Sequence, residues 1–294
     1  MARSIALAHV DIDEHRIATG AWGPFTLKSA FQPIFSFDRG KLVMAAFEGL
    51  LRPFRDGEVM SPPAFFASLS AAERLHVETL ARTLHILNAG AHLDPAKKLF
   101  INFDPSVFSD REIIANALRD MRLTMHEAGI DARDVVCEVT EQRSTSQQAL
   151  EGFVAALRDD GFRIAVDDYG AQQSDMERIS ALKPDIVKFD GRWIARLMET
   201  RQGVALLALM VGEFSARGIT VVFEGIEEGW QIEVAEAAGA HMVQGFALAR
   251  PELAPTSFAV LHPDPQGPAA TDAHVRQRRV GGSSAKAFGR RVAS

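Results

Sequence analysis

Residues 164–191 read IAVDDYGAQQSDMERISALKPDIVKFDG. A short apolar run delivers two adjacent aspartates, Asp167 and Asp168. A polar loop and a helix-like segment follow, and a second apolar run, Pro184 to Val187, delivers Lys188. Both runs are continuous rather than alternating, as in strands covered on both faces. A strand, a crossover and a second strand, with polar groups where each strand stops, form the repeating unit of a parallel α/β sheet.

The same unit recurs outward from this stretch. The strand candidates are AFQPIF (30–35), MAAFEGLL (44–51), LFINF (99–103), VVCEV (135–139), RIAVDD (163–168), DIVKFD (185–190), TVVFEGI (220–226) and MVQGFAL (242–248). Amphipathic stretches of helical length lie between most of them. DREIIANALRDMRLTMHEAG (110–129) and TRQGVALLALMVGEFSARG (200–218) both end on glycine, as a helix C-cap should. This pattern predicts a single α/β domain folded as a TIM-like (β/α)8 barrel. The first two strands stand too close for a helix to join them. They are expected to form an antiparallel hairpin through Asp38-Arg39-Gly40, giving a barrel with an antiparallel first strand.

The barrel is expected over residues 29–262, after an N-terminal extension, 1–28. Residues 263–294 are rich in Pro, Gly, Ala and Ser and hold six Lys or Arg against two Asp, a net of +4. They read as a disordered basic tail. The whole chain carries -6, so the rest carries -10. That balance argues against a protein that wraps nucleic acid. It leaves room for a small anionic ligand if metal ions supply positive charge. The single cysteine, Cys137, excludes an intrachain disulfide. The N-terminal apolar run is short and meets acids at once, a poor signal peptide. No apolar run has the length of a membrane helix. The expectation is a soluble, cytoplasmic protein with no membrane and no nucleic-acid partner.

The strand ends carry the chemistry. In order they present Glu48, Asn102, Glu138 with Glu141 just beyond, Asp167 and Asp168, Lys188, Glu224 and Gln244. Barrel enzymes gather their active sites from such positions. So many carboxylates need cations beside them, or their repulsion raises several pKa values. The donors are oxygens, with no histidine pair or cysteine cluster, which suits Mg²⁺ or Mn²⁺ better than zinc. Adjacent Asp167 and Asp168 could reach two ions, as in two-metal hydrolysis of phosphate esters, with Lys188 holding the phosphate or the water. The alternative of a Schiff-base lysine fits poorly among so many anions. Cys137 alternates with Glu138 and should face away from the site. His241 reads as structural, Phe47 and Phe223 as packing, Glu227 and Glu228 as a helix start, and Asp190 as either a support for Lys188 or the start of a turn.

The chain resembles the EAL-domain family of cyclic di-GMP phosphodiesterases. The resemblance runs over roughly residues 29–253, through FQPI (31–34), FEGLLR (47–52), INFDP (101–105), EVTE (138–141), DDYG (167–170), PDIVKFD (184–190), FEGIE (223–227) and QGFALARP (244–251), in family order. It implies metal-dependent hydrolysis of cyclic di-GMP to linear pGpG. Glu48, Asn102, Glu138 and Asp167 then match direct metal ligands, and Asp168 matches the ligand of the second metal. Lys188 matches the lysine that orients the catalytic water, and Glu224 a metal-binding carboxylate proposed as general base. Gln32 and Arg52 match positions near the substrate phosphates, Gln244 completes the site, and Glu141 steadies the loop after Asp168.

The sequence departs from the family at three places. Gly49 stands where the name-giving motif has alanine. Gln172 and Gln173 stand where a glycine and an aromatic residue are usual, in a loop that steadies the second metal and helps form a dimer. Residues 61–75, SPPAFFASLSAAERL, depart from the usual substrate-contacting helix. These departures keep open a catalytically weak or inactive cyclic di-GMP receptor acting through a protein partner. They also leave room for a homodimer and for regulation by a partner, since no sensory domain is read ahead of the barrel.

Overall fold

A computed structural model describes residues 6–107, 111–140, 147–171, 179 and 181–261. Two long strands dominate its start. β1 (Val10–Ile12) and β2 (Ala18–Trp22) lead into β3 (Phe25–Asp38), and β4 (Lys41–Arg55) runs back antiparallel to β3 from the pair Asp38↔Lys41. The turn residues Arg39 and Gly40 have φ of 51° and 73°. Two successive positive φ values give a hairpin whose twist matches its strands, so the predicted hairpin is present where the sequence placed it.

The barrel closes through β4 and β3. β6 (Lys98–Phe103), β7 (Val135–Thr140), β8 (Arg163–Tyr169), β9 (Ile186–Phe189), β10 (Thr220–Phe223) and β11 (Met242–Val243) follow β4 in parallel, and β11 pairs antiparallel with β3. Eight strands thus form a closed ring in which β3 alone runs against its neighbours. Past the barrel mouth β3 and β4 continue as a ribbon, carrying β2 and β1 on one side and β5 (Glu58–Val59) on the other; β12 (Glu252–Leu253) also adds to β3. Residues 10–12, 18–22 and 25–28 therefore supply strands to this ribbon.

The helices cover the outside. α1 (Pro62–Ala67) is a short helix. α2 (Ala71–His92) starts on a capping box in which the Ser70 side chain accepts from Glu73 N and the Glu73 carboxylate accepts from Ser70 N. α3 (Arg111–Ala128), α4 (Gln147–Asp159), α5 (Gly191–Met198), α6 (Arg201–Ala216), α7 (Gly229–Ala237) and α8 (Phe258–Leu261) follow. Gly129 and Gly218 end α3 and α6 at φ of 71° and 75°, the left-handed turn a C-terminal glycine permits. The main core lies between sheet and helices, where Phe47, Cys137 and Phe223 pack outward, as expected. No helix among the described residues is long and apolar enough to cross a membrane.

Candidate active site

Inside the ring, Ile34, Ala46, Phe100, Val136, Ala165, Ile186 and Val222, with Met242 against them, form a separate apolar plug. Side chains alternate along a strand, so the next inward position lies two residues on. In β3, which runs the other way, that residue is Gln32. In the others it is Glu48, Asn102, Glu138, Asp167, Lys188, Glu224 and Gln244. The barrel interior is therefore an apolar layer crowned by a polar one, with one group from each strand.

Lys188 sits at the centre of the crown and is 1 % exposed. Its Nζ lies 2.5 Å from Glu138 Oε1, 2.6 Å from Glu224 Oε1, 3.4 Å from Glu48 Oε2 and 3.7 Å from Asp167 Oδ1. Burial works against its charge, but the four carboxylates outweigh burial and hold its pKa well above the ordinary lysine range. Glu48 is also buried, yet Lys188 and the amides of Gln244 (2.8 Å) and Asn102 (3.2 Å) keep its pKa below the usual value. Glu138 goes the other way: burial, then the Glu48 and Asp167 charges, raise it far above normal despite Lys188. Burial and the Asp167 and Glu48 charges also push Glu224 up to about 8.

The adjacent aspartates would ordinarily face opposite sides of β8. A bulge changes this. Val166 pairs with Val187 and Tyr169 with Phe189, so Asp167 and Asp168 together stand opposite Lys188. Asp168 takes a φ of 60°, a left-handed conformation that costs a side-chain-bearing residue on the order of 1 kcal/mol. One oxygen from each of Asp167, Asp168 and Glu224 then lies within 4.8 Å of the others. Buried Asp167 Oδ1 and Gln244 Oε1 have no hydrogen-bond partner among the described residues. Glu48, Glu138, Asp167, Asp168 and Glu224 oppose a single lysine here, and every further donor is an amide. This all-oxygen, anion-rich set with unsatisfied acceptors fits a hard divalent cation.

Two cavities of similar size flank the crown. The first, about 440 Å³, is lined by Arg52, Asn102, Asp167 and Asp168 and by Pro62 and Phe66 of α1. The second, about 420 Å³, is lined by Gln32, Glu48, Glu224, Gln244, Arg192 and Phe246. Gln32 Nε2 donates to Ala249 O at 3.2 Å, and Arg52 Nη1 donates to Leu51 O at 3.0 Å. Phe246 is 49 % exposed, and the Arg250 guanidinium lies 4.4 Å from its ring centre.

Sequence reasoning missed one face of this site. Arg74, Glu78, Arg82 and His85 of α2 also line the first cavity. Arg82 lies 3.5 Å from Glu78 and 4.5 Å from the Phe103 ring centre, and Arg74 lies 3.8 Å from Asp104. Burial pushes Glu78 up to about 7, against the pull of Arg82. Their spacing of four, four and three residues marks one helical stripe, a signal legible in the sequence.

Several expectations need correction or placement. Glu48 is not at a strand end: β4 runs on to Arg55, because the ribbon extends past the barrel mouth. MVQGFAL is not a full strand; only Met242–Val243 pairs, and Gln244 begins the turn beyond it. Glu141, Gln172 and Gln173 lie outside the described residues. Asp190 caps α5, accepting from Trp193 N at 2.8 Å, so it starts the turn. Glu228 stands at the N-cap of α7, and His241 Nδ1 accepts from Val221 N at 3.0 Å, both structural roles.

A family model described as the EAL domain matches residues 25–251. The probable cyclic di-GMP phosphodiesterase PdeA of Escherichia coli K12 is 24 % identical over 209 residues, covering 70 % of this chain and 28 % of that protein. The cyclic di-GMP phosphodiesterase RocR of Pseudomonas aeruginosa PAO1 is 26 % identical over 227 residues, covering 75 % and 56 %. A solved structure of Klebsiella pneumoniae BlrP1, a calcium and cyclic di-GMP complex, superposes with a TM-score of 0.67 at 27 % identity, covering 77 % of this chain and 56 % of that one. The chain thus spans from 28 % to 56 % of the length of these relatives. With the polar crown in place and the family match running from Phe25 to Pro251, the chain belongs to the EAL domain family.

Proposed function

We propose that the protein is a metal-dependent phosphodiesterase that opens cyclic di-GMP to linear pGpG. The observation that carries this reading is the anionic crown itself: four carboxylates around one lysine and Asp168 beside them, with a cavity of about 440 Å³ on one side and about 420 Å³ on the other. Two similar cavities about one reactive centre suit a substrate of two similar halves. The names of PdeA and RocR, and the ligand in the BlrP1 complex, point to the same substrate.

Glu48, Asn102, Glu138, Asp167, Asp168 and Glu224 would hold Mg²⁺ or Mn²⁺, and we propose two ions. Bound ions would neutralise the phosphate and lower the barrier to attack by water. Arg52 and Gln32 would hold the phosphates from opposite sides of the crown. Lys188 stays protonated among its carboxylates and positions the water by donating to its oxygen. Glu224 takes the proton as water attacks phosphorus. The P–O3′ bond breaks and the departing O3′ takes a proton from solvent, leaving a 5′-phosphate on one guanosine and a 3′-hydroxyl on the other. The plug beneath keeps bulk water from the far side of the reaction.

A non-catalytic receptor would not need the full carboxylate set, and its presence favours the enzyme. We also propose that the protein acts in the cytoplasm, where neither membrane nor nucleic acid is its partner. The test is to incubate purified protein with cyclic di-GMP and Mg²⁺ or Mn²⁺ and to look for pGpG. Tight binding of cyclic di-GMP with no pGpG in either metal would replace the enzyme by the receptor.

A further inference from the structure

Gly49, beside Glu48 on β4, has no room for a side chain. A Cβ there would stand 2.9 Å from His85 Cγ, 3.0 Å from His85 Cβ and 3.1 Å from His85 Cδ2. Cβ cannot move aside without moving α2, and Cγ and Cδ2 can do so only if the ring leaves its rotamer. Nor is the ring loose. His85 is 4 % exposed, its Nδ1 lies 2.9 Å from Ser29 Oγ, and it meets the Phe31 ring edge-on at 6.2 Å. Ser29 and Phe31 belong to β3 and pair with Leu51 and Gly49 of β4. One turn further along α2, Asn88 donates to Ser29 Oγ at 3.2 Å and to Ala18 O at 2.8 Å, and accepts from Ala18 N at 2.9 Å. These buried polar links tie α2 to the strand pair, and the tie bears on β4 next to Glu48.

We infer that His85 is a positioning residue for Glu48: packed against Gly49, its ring fixes the distance between α2 and β4 and so where the Glu48 carboxylate stands. The inference rests on the proposal that Glu48 is a metal ligand. It also accounts for glycine at position 49, since an alanine there would need a smaller residue at 85. The pair is matched, and neither member should be exchangeable alone.

The test is titration calorimetry with Mn²⁺ on wild type, Gly49→Ala, His85→Ala and the double variant, each well below its unfolding temperature, with turnover of cyclic di-GMP measured alongside. Gly49→Ala should weaken Mn²⁺ binding by roughly tenfold or more, the scale of a disturbed ligand support. His85→Ala should weaken it less, by leaving a hole rather than a clash. The double variant should bind at least about threefold more tightly than Gly49→Ala, a coupling expected only of residues in contact. Should Gly49→Ala fail to fold, a double variant that folds and binds Mn²⁺ is the same rescue. A double variant no better than Gly49→Ala, or a Gly49→Ala protein with wild-type affinity, overturns the inference alone. A wild type that binds no Mn²⁺ overturns the metal site and the inference with it.

Discussion

Lys188 Nζ and Glu224 Oε1 lie 2.6 Å apart at the centre of the barrel mouth, with Glu138 as close on the other side. Among the described residues, Lys188 is the cation within 4 Å of Glu48, Glu138, Asp167 and Glu224, while Arg52 and Arg192 stand at the flanking cavities. Replacing it takes the close cation from buried Glu138 and from Glu224. Lys188→Met should therefore lose about 3–5 kcal/mol of stability in EDTA, and Mn²⁺ should restore part of the loss. Denaturant unfolding with and without the ion checks this. Equal stability of wild type and variant in EDTA would show that the lysine is not the counter-ion.

The bulge at Asp167 and Asp168 leads to a second expectation. Mn²⁺ should stabilise the wild type, by about 2.7 kcal/mol when the free ion is a hundred times its Kd. Asp168→Asn keeps the left-handed backbone but removes one charge from the crowd. It should be at least as stable as wild type in EDTA, gain less from Mn²⁺ and turn over more slowly. Thermal melts over a Mn²⁺ series read both effects. An undiminished gain in the variant would take Asp168 out of the ion site.

His85 gives the protein an acid limit. Burial, helped by the Arg52 and Arg82 charges and opposed by Glu48, pushes its pKa from 6.5 down to about 3. Below pH 6.5 the unfolded chain takes up a proton that the folded chain refuses until about pH 3. Stability contributed by the neutral ring is complete above 6.5 and is lost as pH falls towards 3, by at most about 1.4 kcal/mol per pH unit. His85→Asn should remove that slope. Unfolding midpoints of both proteins between about pH 8 and pH 4, within this window, give the difference profile. The carboxylates titrate in both proteins and cancel. Parallel profiles would mean that the imidazole takes up its proton in the fold as readily as in the unfolded chain.

Cys137 is fully buried among apolar neighbours, and burial raises its thiol well above the ordinary range. A thiol-specific reagent should leave the folded protein unmodified and label it at one site after denaturation. Rapid labelling of the native protein would show that β7 opens.

Strand order, the first hairpin and most of the crown were legible in the sequence because apolar runs and inward alternation are local properties. From one inward residue, a step of two reaches the polar group above it, and this holds from Ala46 and Glu48 round to Met242 and Gln244. Gln32 follows the same rule only once the direction of β3 is known, which is a property of pairing. The α2 stripe of Arg74, Glu78, Arg82 and His85 was visible as spacing. Its attachment to the site was not, because helix-to-strand docking is set by long-range contacts such as that of His85 with Gly49. The bulge was hidden for a similar reason: adjacent aspartates on a regular strand diverge, and only the ladder with β9 shows that they converge.

The apolar plug has a consequence for traffic. Its seven central residues are at most 4 % exposed, and a barrel filled in this way is a stopped vessel rather than a pore. Ions, water, substrate and product must all enter and leave by the one mouth. Arrival and departure then compete for a single doorway, so an occupant that lingers there blocks the next turnover without touching any reacting group.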